Sequence, residues 1–421
     1  VQYGWVLLSK GDTGYIINDH IPTLAIIKNK KMKLLTLLFG LFFSVACFGQ
    51  QTNRELKTVT FSGSGYELGI QHGTKLKKEI AEIISAWKKN TSNELGRDAD
   101  LVLKDFFKYA DFHESIKKWT PDLYEEVRGI AVGSGQELND IMVLNLLDEF
   151  WVYINNLNNH HCSGLGVPSR NGVPGYISQN MDLENYTDGF QVLMRLNRTD
   201  NRPEQLILTH PGLIALNGLN EEGIGVCVNT LMQLKASHDG LPVAFVVRRI
   251  INSTNKQDLL SFIQTINHAS GQNYIIGFKG EIYDFEASAN KVVRYNPNNE
   301  NGTVYHTNHP IVNDDVKPWF ENYNPNLKKE FQPTSSNSHL RFRAVENRMK
   351  FSSEIGTAEI KRALRSKDDE NNPVCRANFR DGRGFTFAST IMTLTGEPNI
   401  QIIAGPPDEA DYERVDFSTK Q

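Results

Sequence analysis

Cys162 stands in Asn158-Asn159-His160-His161-Cys162-Ser163-Gly164, where a helical pattern gives way to strands. If the peptide bond ahead of it were cut, one residue would carry both a thiol and a free α-amino group, whose pKa of about 7.7 to 8.0 suits a base near neutrality. Nucleophile and base would then share a residue. Further on, Gln179-Asn180-Met181-Asp182 ends a second strand pattern, and a carboxylate at Asp182 returning beside Cys162 could hold and orient that α-ammonium. The plain alternatives are a small buried thiol and a turn aspartate. His160 and His161 do not make a metal pair with Cys162, because adjacent residues on an extended chain point to opposite sides. No Cys-x-x-Cys or His-x-x-x-His spacing occurs either, so neither a metal nor a cofactor is expected.

The elements that must position these groups fall into a helical front and a stranded back. Leu76, Ile80, Ile83, Ile84 and Trp87 recur at helical spacing, and the pattern stays helical from Tyr66 to Tyr153. After His161, short β-rich runs begin with Ser163 to Val167 and Tyr176 to Met181, and Asn171-Gly172 between them is a hairpin signal. Further strands are expected at 190–196, 205–208, 224–230, 274–278, 282–287, 386–394 and 400–404, with helices at 242–252, 256–266 and 339–350. This order predicts α+β layers around antiparallel sheets. In Val226-Cys227-Val228-Asn229 the polar pair shares one strand face, so Asn229 and Cys227 look the same way.

The 421 residues are 39% hydrophobic, 22% charged and 10% aromatic, an ordinary globular composition that excludes disorder and coiled coil. A net charge of -4 offers no basic field for a nucleic-acid backbone, so nucleic acid is not an expected partner. The run Leu34 to Ala46, preceded by Lys28 to Lys33, is too short to span a bilayer comfortably and has the layout of a signal peptide over 32–49. Residues 1–31 are expected to be upstream translation outside the fold, 50–161 the helical segment, and 162–421 the catalytic domain. Residues 1–49 carry five lysines and two aspartates, net +3, which leaves -7 on the remainder of a chain at -4. A periplasmic or secreted location follows, with no stable span after signal removal. An uncleaved anchor, or a lipoprotein modified at Cys47, is the alternative. Cys227 and Cys375 could pair as a disulfide in such a compartment.

Several segments together resemble the acyl-CoA:6-aminopenicillanic acid acyltransferases, a branch of the N-terminal nucleophile hydrolases, and more distantly the bile salt hydrolase and penicillin V acylase group. They are Gly65 to Gly73, Arg128 to Gly135, Cys162-Ser163, Gln179 to Asp182, Gly218 to Asn229, His306 to Pro310 and Ser338 to Phe342. The resemblance implies a four-layer αββα sandwich and a precursor that cuts itself between His161 and Cys162. It implies further that Cys162 is the nucleophile and that Asp182 holds its amine. Asn308 and Asn229 would supply the oxyanion and amine contacts, and Arg341 would assist the aspartate and the nucleophile. Two departures stand out: the family's common Gly-Cys-Thr is His161-Cys162-Ser163 here, and Gln179 replaces the arginine of the bile salt hydrolase group.

Neutral amide donors suit this chemistry, because thiolate attack on an amide builds an oxyanion that each fixed donor stabilises by about 10²- to 10³-fold in rate. The expected function is a cysteine amidohydrolase or acyltransferase that forms a thioester at Cys162 from a small-molecule acyl amide or acyl donor. An ester hydrolase similar to the phospholipase B-like proteins, or a binding relic of the fold, is the alternative. The run Phe150, Trp151 and Tyr153 reads first as core. Its nearness to the cut makes Phe150 and Trp151, with Asn180, candidate substrate contacts.

Overall fold

The computed structural model describes residues 54–155, 162–199, 202–323, 336–350, 352, 354–377 and 384–419. The expected signal segment, Cys47, His160 and His161 therefore lie outside the described residues. The segment expected to be helical opens instead on a strand, β1 (Lys57–Phe61), which alternates exposed residues with buried Val59 and Phe61. Helices follow: α1 (Gly65–Lys75), α2 (Lys77–Leu95), α3 (Ala99–Tyr109), α4 (His113–Trp119), α5 (Pro121–Ser134), α6 (Leu138–Leu144) and α7 (Leu147–Tyr153). On α2 the spaced residues Ile80, Ile83, Ile84 and Trp87 form the buried stripe.

Helices α1 and α5 carry two of the segments behind the family resemblance, and they pack directly on each other. A Cβ on Gly69 would lie 2.0 Å from the Glu126 carbonyl oxygen, and one on Gly129 would lie 2.3 Å from that of Tyr66. Each glycine costs the helix up to about 1 kcal/mol against alanine, and here the absent side chain is what lets the backbones touch.

The stranded part begins with β2 (Ser163–Val167) and β3 (Tyr176–Leu183), joined through Asn171 and Gly172 at φ 52° and 82°. Both angles are positive, as a tight two-residue hairpin turn requires. Then come β4 (Val192–Leu196), β5 (Gln205–Thr209), β6 (Asn217–Asn220), β7 (Ile224–Thr230), α8 (Val243–Ile251), α9 (Lys256–Thr265), β8 (Gln272–Phe278), β9 (Glu281–Ala287), β10 (Val292–Tyr295) and β11 (Val304–His306). The chain closes with α10 (Pro318–Tyr323), α11 (Asn337–Met349), α12 (Thr357–Leu364), β12 (Phe385–Thr393), β13 (Asn399–Ala404) and β14 (Glu413–Asp416).

One sheet runs β1-β4-β5-β6-β7-β8-β9-β10 and the other β11-β2-β3-β12-β13-β14. Pairing is antiparallel except between β1 and β4, where Lys57–Phe61 lie parallel to Val192–Leu196. Strands β2 and β3 face β7 and β8 across the interior, α8 covers β6 and β7, and α11 and α12 cover the outer side of the second sheet. The αββα order implied by the resemblance is the one observed. Buried Phe245, Val246, Val247, Ile250 and Ile251 fasten α8 to the fold, each contributing about 1.5–3 kcal/mol.

Candidate active site

Cys162 sits immediately before β2, and the β2–β3 register sets what it meets. Ser163 pairs with Asn180, so Met181 lies across from Cys162 and Asp182 one residue beyond. The Cys162 Sγ is 3.5 Å from Met181 Sδ, and the Asp182 backbone N–H donates to it at 3.4 Å. The backbone of Asp182, not its carboxylate, therefore touches the sulfur in the uncut chain. Two glycines on the same face as Cys162 let β2 press inward: a Cβ on Gly164 would lie 3.0 Å from Asn229 Oδ1, and one on Gly166 2.7 Å from Ile282.

The Asp182 carboxylate accepts a hydrogen bond from Thr386 Oγ1 at 2.8 Å through Oδ1. Its other oxygen is buried without a hydrogen-bond partner among the described residues and lies 3.7 Å from Arg376 Nε. Burial pushes the carboxyl up to about 6, against the pull of Arg376 and Arg341. Arg376 had no counterpart in the sequence reading, because it lies in an irregular stretch with no motif around it.

Arg341 is the hub. Fully buried, it donates through Nη1 to the Cys162 carbonyl at 2.7 Å and to Ser163 Oγ at 2.9 Å. Through Nη2 it donates to Asn308 Oδ1 at 2.9 Å, and through Nε to Asn337 Oδ1 at 2.7 Å. Burial lowers its pKa to about 10, which leaves it charged at neutral pH. Asn308 in turn donates from Nδ2 to the Thr230 carbonyl at 3.0 Å, and its backbone N–H donates to Ser338 Oγ at 2.8 Å. An amide nitrogen carries two hydrogens, so one Nδ2 hydrogen remains for a ligand.

The loop after β11 that carries Asn308 is anchored on Glu286. That carboxylate accepts the backbone N–H groups of Ile311, Val312 and Asn313 and a ring N–H of His306 at 2.8 Å. The other ring nitrogen of His306 faces the Thr307 carbonyl. Burial opposes charge on His306, yet the Glu286 bond holds its pKa above the ordinary value.

Asn229 and Cys227 do share a face of β7, as alternation requires, but Val228 and Thr230 on the other face are the ones that line the cavity at Cys162. Asn229 lies beside Gly164, fully buried, with neither end of its amide hydrogen-bonded among the described residues. The cavity measures about 570 Å³ including open solvent at its mouth, and is walled by α6, α7, α8, Cys162, Met181 and Asp182. Trp151 lines it. Phe150, a turn position away, instead stacks edge-on against Trp87 and Phe106 in the core, with centroids 5.2 and 5.4 Å apart. Asn180 is also outside the cavity: its amide donates to the Leu364 and Val374 carbonyls and accepts from Ser389, so it fixes α12 to β3.

Burial and the nearby Asp182 push the Cys162 thiol up to about 12, and the Asp182 N–H and Arg341 only partly offset them. In the uncut chain no α-ammonium at Cys162 exists to oppose that burial. Cys162, Cys227 and Cys375 are all free and buried, so Cys227 and Cys375 do not pair. Cys375 instead donates to Asp408 Oδ1 at 2.9 Å. Among the described residues no group of three His, Cys, Asp or Glu side chains could hold a metal ion, and no helix is long and apolar enough to cross a membrane.

A family model described as acyl-coenzyme A:6-aminopenicillanic acid acyl-transferase matches residues 170–408, more than half of the chain. The class so defined is that of acyl-transferring enzymes. The chain belongs to the acyl-coenzyme A:6-aminopenicillanic acid acyl-transferase family. It is similar to the acyl-coenzyme A:6-aminopenicillanic-acid-acyltransferase 40 kDa form of Emericella nidulans, at 27% identity over 369 residues, 83% of this chain and 94% of that protein. Among solved structures, a mutant of the conjugated bile acid hydrolase from Clostridium perfringens aligns at 14% identity and TM-score 0.36, covering 62% of this chain and 97% of that one. Penicillin V acylase from Agrobacterium tumefaciens aligns at 13% identity and TM-score 0.40, covering 61% and 87%.

Proposed function

We propose that the protein is a self-processing thiol enzyme that takes an acyl group from an amide as a thioester on Cys162 and passes it to water or an amine. The observation that carries this is the buried Arg341, which binds the Cys162 carbonyl and the Asn308 amide at once. It thereby fixes the head of β2 against the proposed oxyanion donor, at the wall of an apolar cavity. In processing, Cys162 Sγ attacks the preceding carbonyl, the C–N bond breaks, and water releases the resulting thioester. The new α-ammonium adds a positive charge next to the thiol and to Asp182, whose Oδ2 has no hydrogen bond among the described residues before the cut. A thiol held up at about 12 in the uncut chain becomes easier to ionise once that charge appears.

In turnover the free amine takes the thiol proton and the thiolate attacks the substrate carbonyl. Asn308 donates to the oxyanion, the C–N bond breaks, and the proton leaves on the amine product. Asn229, with both ends of its amide unsatisfied, is assigned to the new α-amine. Residues 32–49 are assigned to export, which places the enzyme in the periplasm or outside the cell. Intact mass of the purified protein tests the reading: cleavage gives chains ending at His161 and beginning at Cys162. A chain that stays whole and inert would mark a binding relic.

A further inference from the structure

Among the described residues the cavity at Cys162 is lined by leucine, valine, alanine, methionine and tryptophan side chains, and its charged lining groups are two aspartates, Asp148 and Asp182, without a lysine, arginine or histidine. Asp182 is turned to Thr386 and Arg376. Asp148, on the first turn of α7, is held differently. Thr230 Oγ1 donates to it at 2.7 Å and Gln272 Nε2 at 2.6 Å, both on Oδ2, which leaves Oδ1 without a hydrogen bond among the described residues. The two donors fix the carboxylate plane, so the free oxygen is pre-oriented and loses little entropy on binding. Thr230 also offers its carbonyl to Asn308, which ties Asp148 to the proposed oxyanion donor through one residue. The charge of Asp148 is also felt at the Cys162 thiol, one of the influences that raise its pKa.

We propose that Asp148 selects the substrate: the preferred substrate joins an apolar acyl chain to an amine that carries a second, cationic nitrogen. An acylated amino acid would bring its carboxylate towards Asp148 in a cavity with no lysine, arginine or histidine among its described lining residues, so an anionic amine portion is disfavoured there. This rests on the thioester reading of Cys162 and adds the class of amine to it.

The test uses one acyl chain on three amines: N-decanoyl-1,2-diaminoethane, N-decanoylpropylamine and N-decanoylglycine. The processed enzyme should show kcat/KM for the diaminoethane amide about 10-fold above the propylamide, the size of one charge-assisted hydrogen bond, with the glycine amide slowest. Asp148→Asn should bring the cation-to-neutral ratio near one. Equal ratios in wild type and variant, or a wild-type preference for the glycine amide, would overturn the proposal. Calorimetric binding to uncut Cys162→Ala protein asks the same question without turnover, and without needing the Asp148 variant to fold. About 10-fold tighter binding of the diaminoethane amide supports the assignment, and equal affinities refute it. Failure of the wild-type chain to cut itself, with selective binding retained, would instead count against the thioester reading.

Discussion

Asn308→Ala separates catalysis from architecture. The substitution removes the Nδ2 bond to the Thr230 carbonyl, a neutral pair contributing about 1 kcal/mol, and the bond from Arg341 Nη2, a charged pair contributing about 1.5–3 kcal/mol. All of these groups are buried, so the native state should lose about 3 kcal/mol. At about 2 °C per kcal/mol for a large chain, the unfolding midpoint should fall by roughly 6 °C. A protein with a typical reserve of about 5–15 kcal/mol still remains folded at 25 °C. Turnover should nonetheless fall by about 10²- to 10³-fold, because an oxyanion donor has gone. The assay pairs thermal unfolding with kcat on an acyl amide, normalised to the Cys162 thiols titrated by iodoacetamide. A midpoint lowered as stated with kcat within threefold of wild type would show that Asn308 only braces Arg341, and the proposed oxyanion contact would be wrong.

Other outcomes follow from the same geometry. Cys162→Ala should remain one uncut chain, and a cut at the same bond in purified protein would end the self-processing proposal. Chelators should leave activity unchanged, while brief iodoacetamide treatment of processed enzyme should label Cys162 before Cys227 or Cys375 and abolish activity; early label elsewhere with activity retained refutes the nucleophile. Asp182 has a folded pKa of about 6, above the unfolded value of about 3.9, so its contribution to stability should fall as pH rises through that window. Comparing unfolding midpoints of Cys162→Ala with and without Asp182→Asn from pH 4 to 7 checks this, and a constant difference contradicts it. Glu286→Gln should lower kcat by up to about 10²-fold with little change in KM, since it loosens the loop holding Asn308; an unchanged kcat would leave Glu286 a purely structural anchor.

Strand alternation and turn chemistry make much of the site legible in the sequence. Asn171-Gly172 set a hairpin, the hairpin set the register, and the register brought Asp182 to Cys162. What alternation does not supply is the partner of each face. Asn180 and Asp182 are two apart on β3, yet one meets α12 and the other meets Thr386 and Arg376, residues remote in sequence. Phe150 and Trp151 are adjacent on a helix and so diverge by about 100°, which sends one to the core and the other to the cavity. Strand β1 is not legible in the sequence, because its five residues gain their meaning only from β4, far along the chain.

The pairing of β1 with β4 also bears on what processing leaves behind. A cut ahead of Cys162 puts β1 and α7 on the small chain, and β4 and most of the cavity on the large one. The small chain would then supply the edge strand of the eight-stranded sheet, so its departure would be partial unfolding, not simple dissociation. Refolding from denaturant would turn from a first-order event into a second-order encounter that dilution slows. The mature enzyme would owe its lifetime to a high unfolding barrier more than to a favourable equilibrium, with maturation acting as a one-way ratchet on a fold that only the continuous chain can find readily.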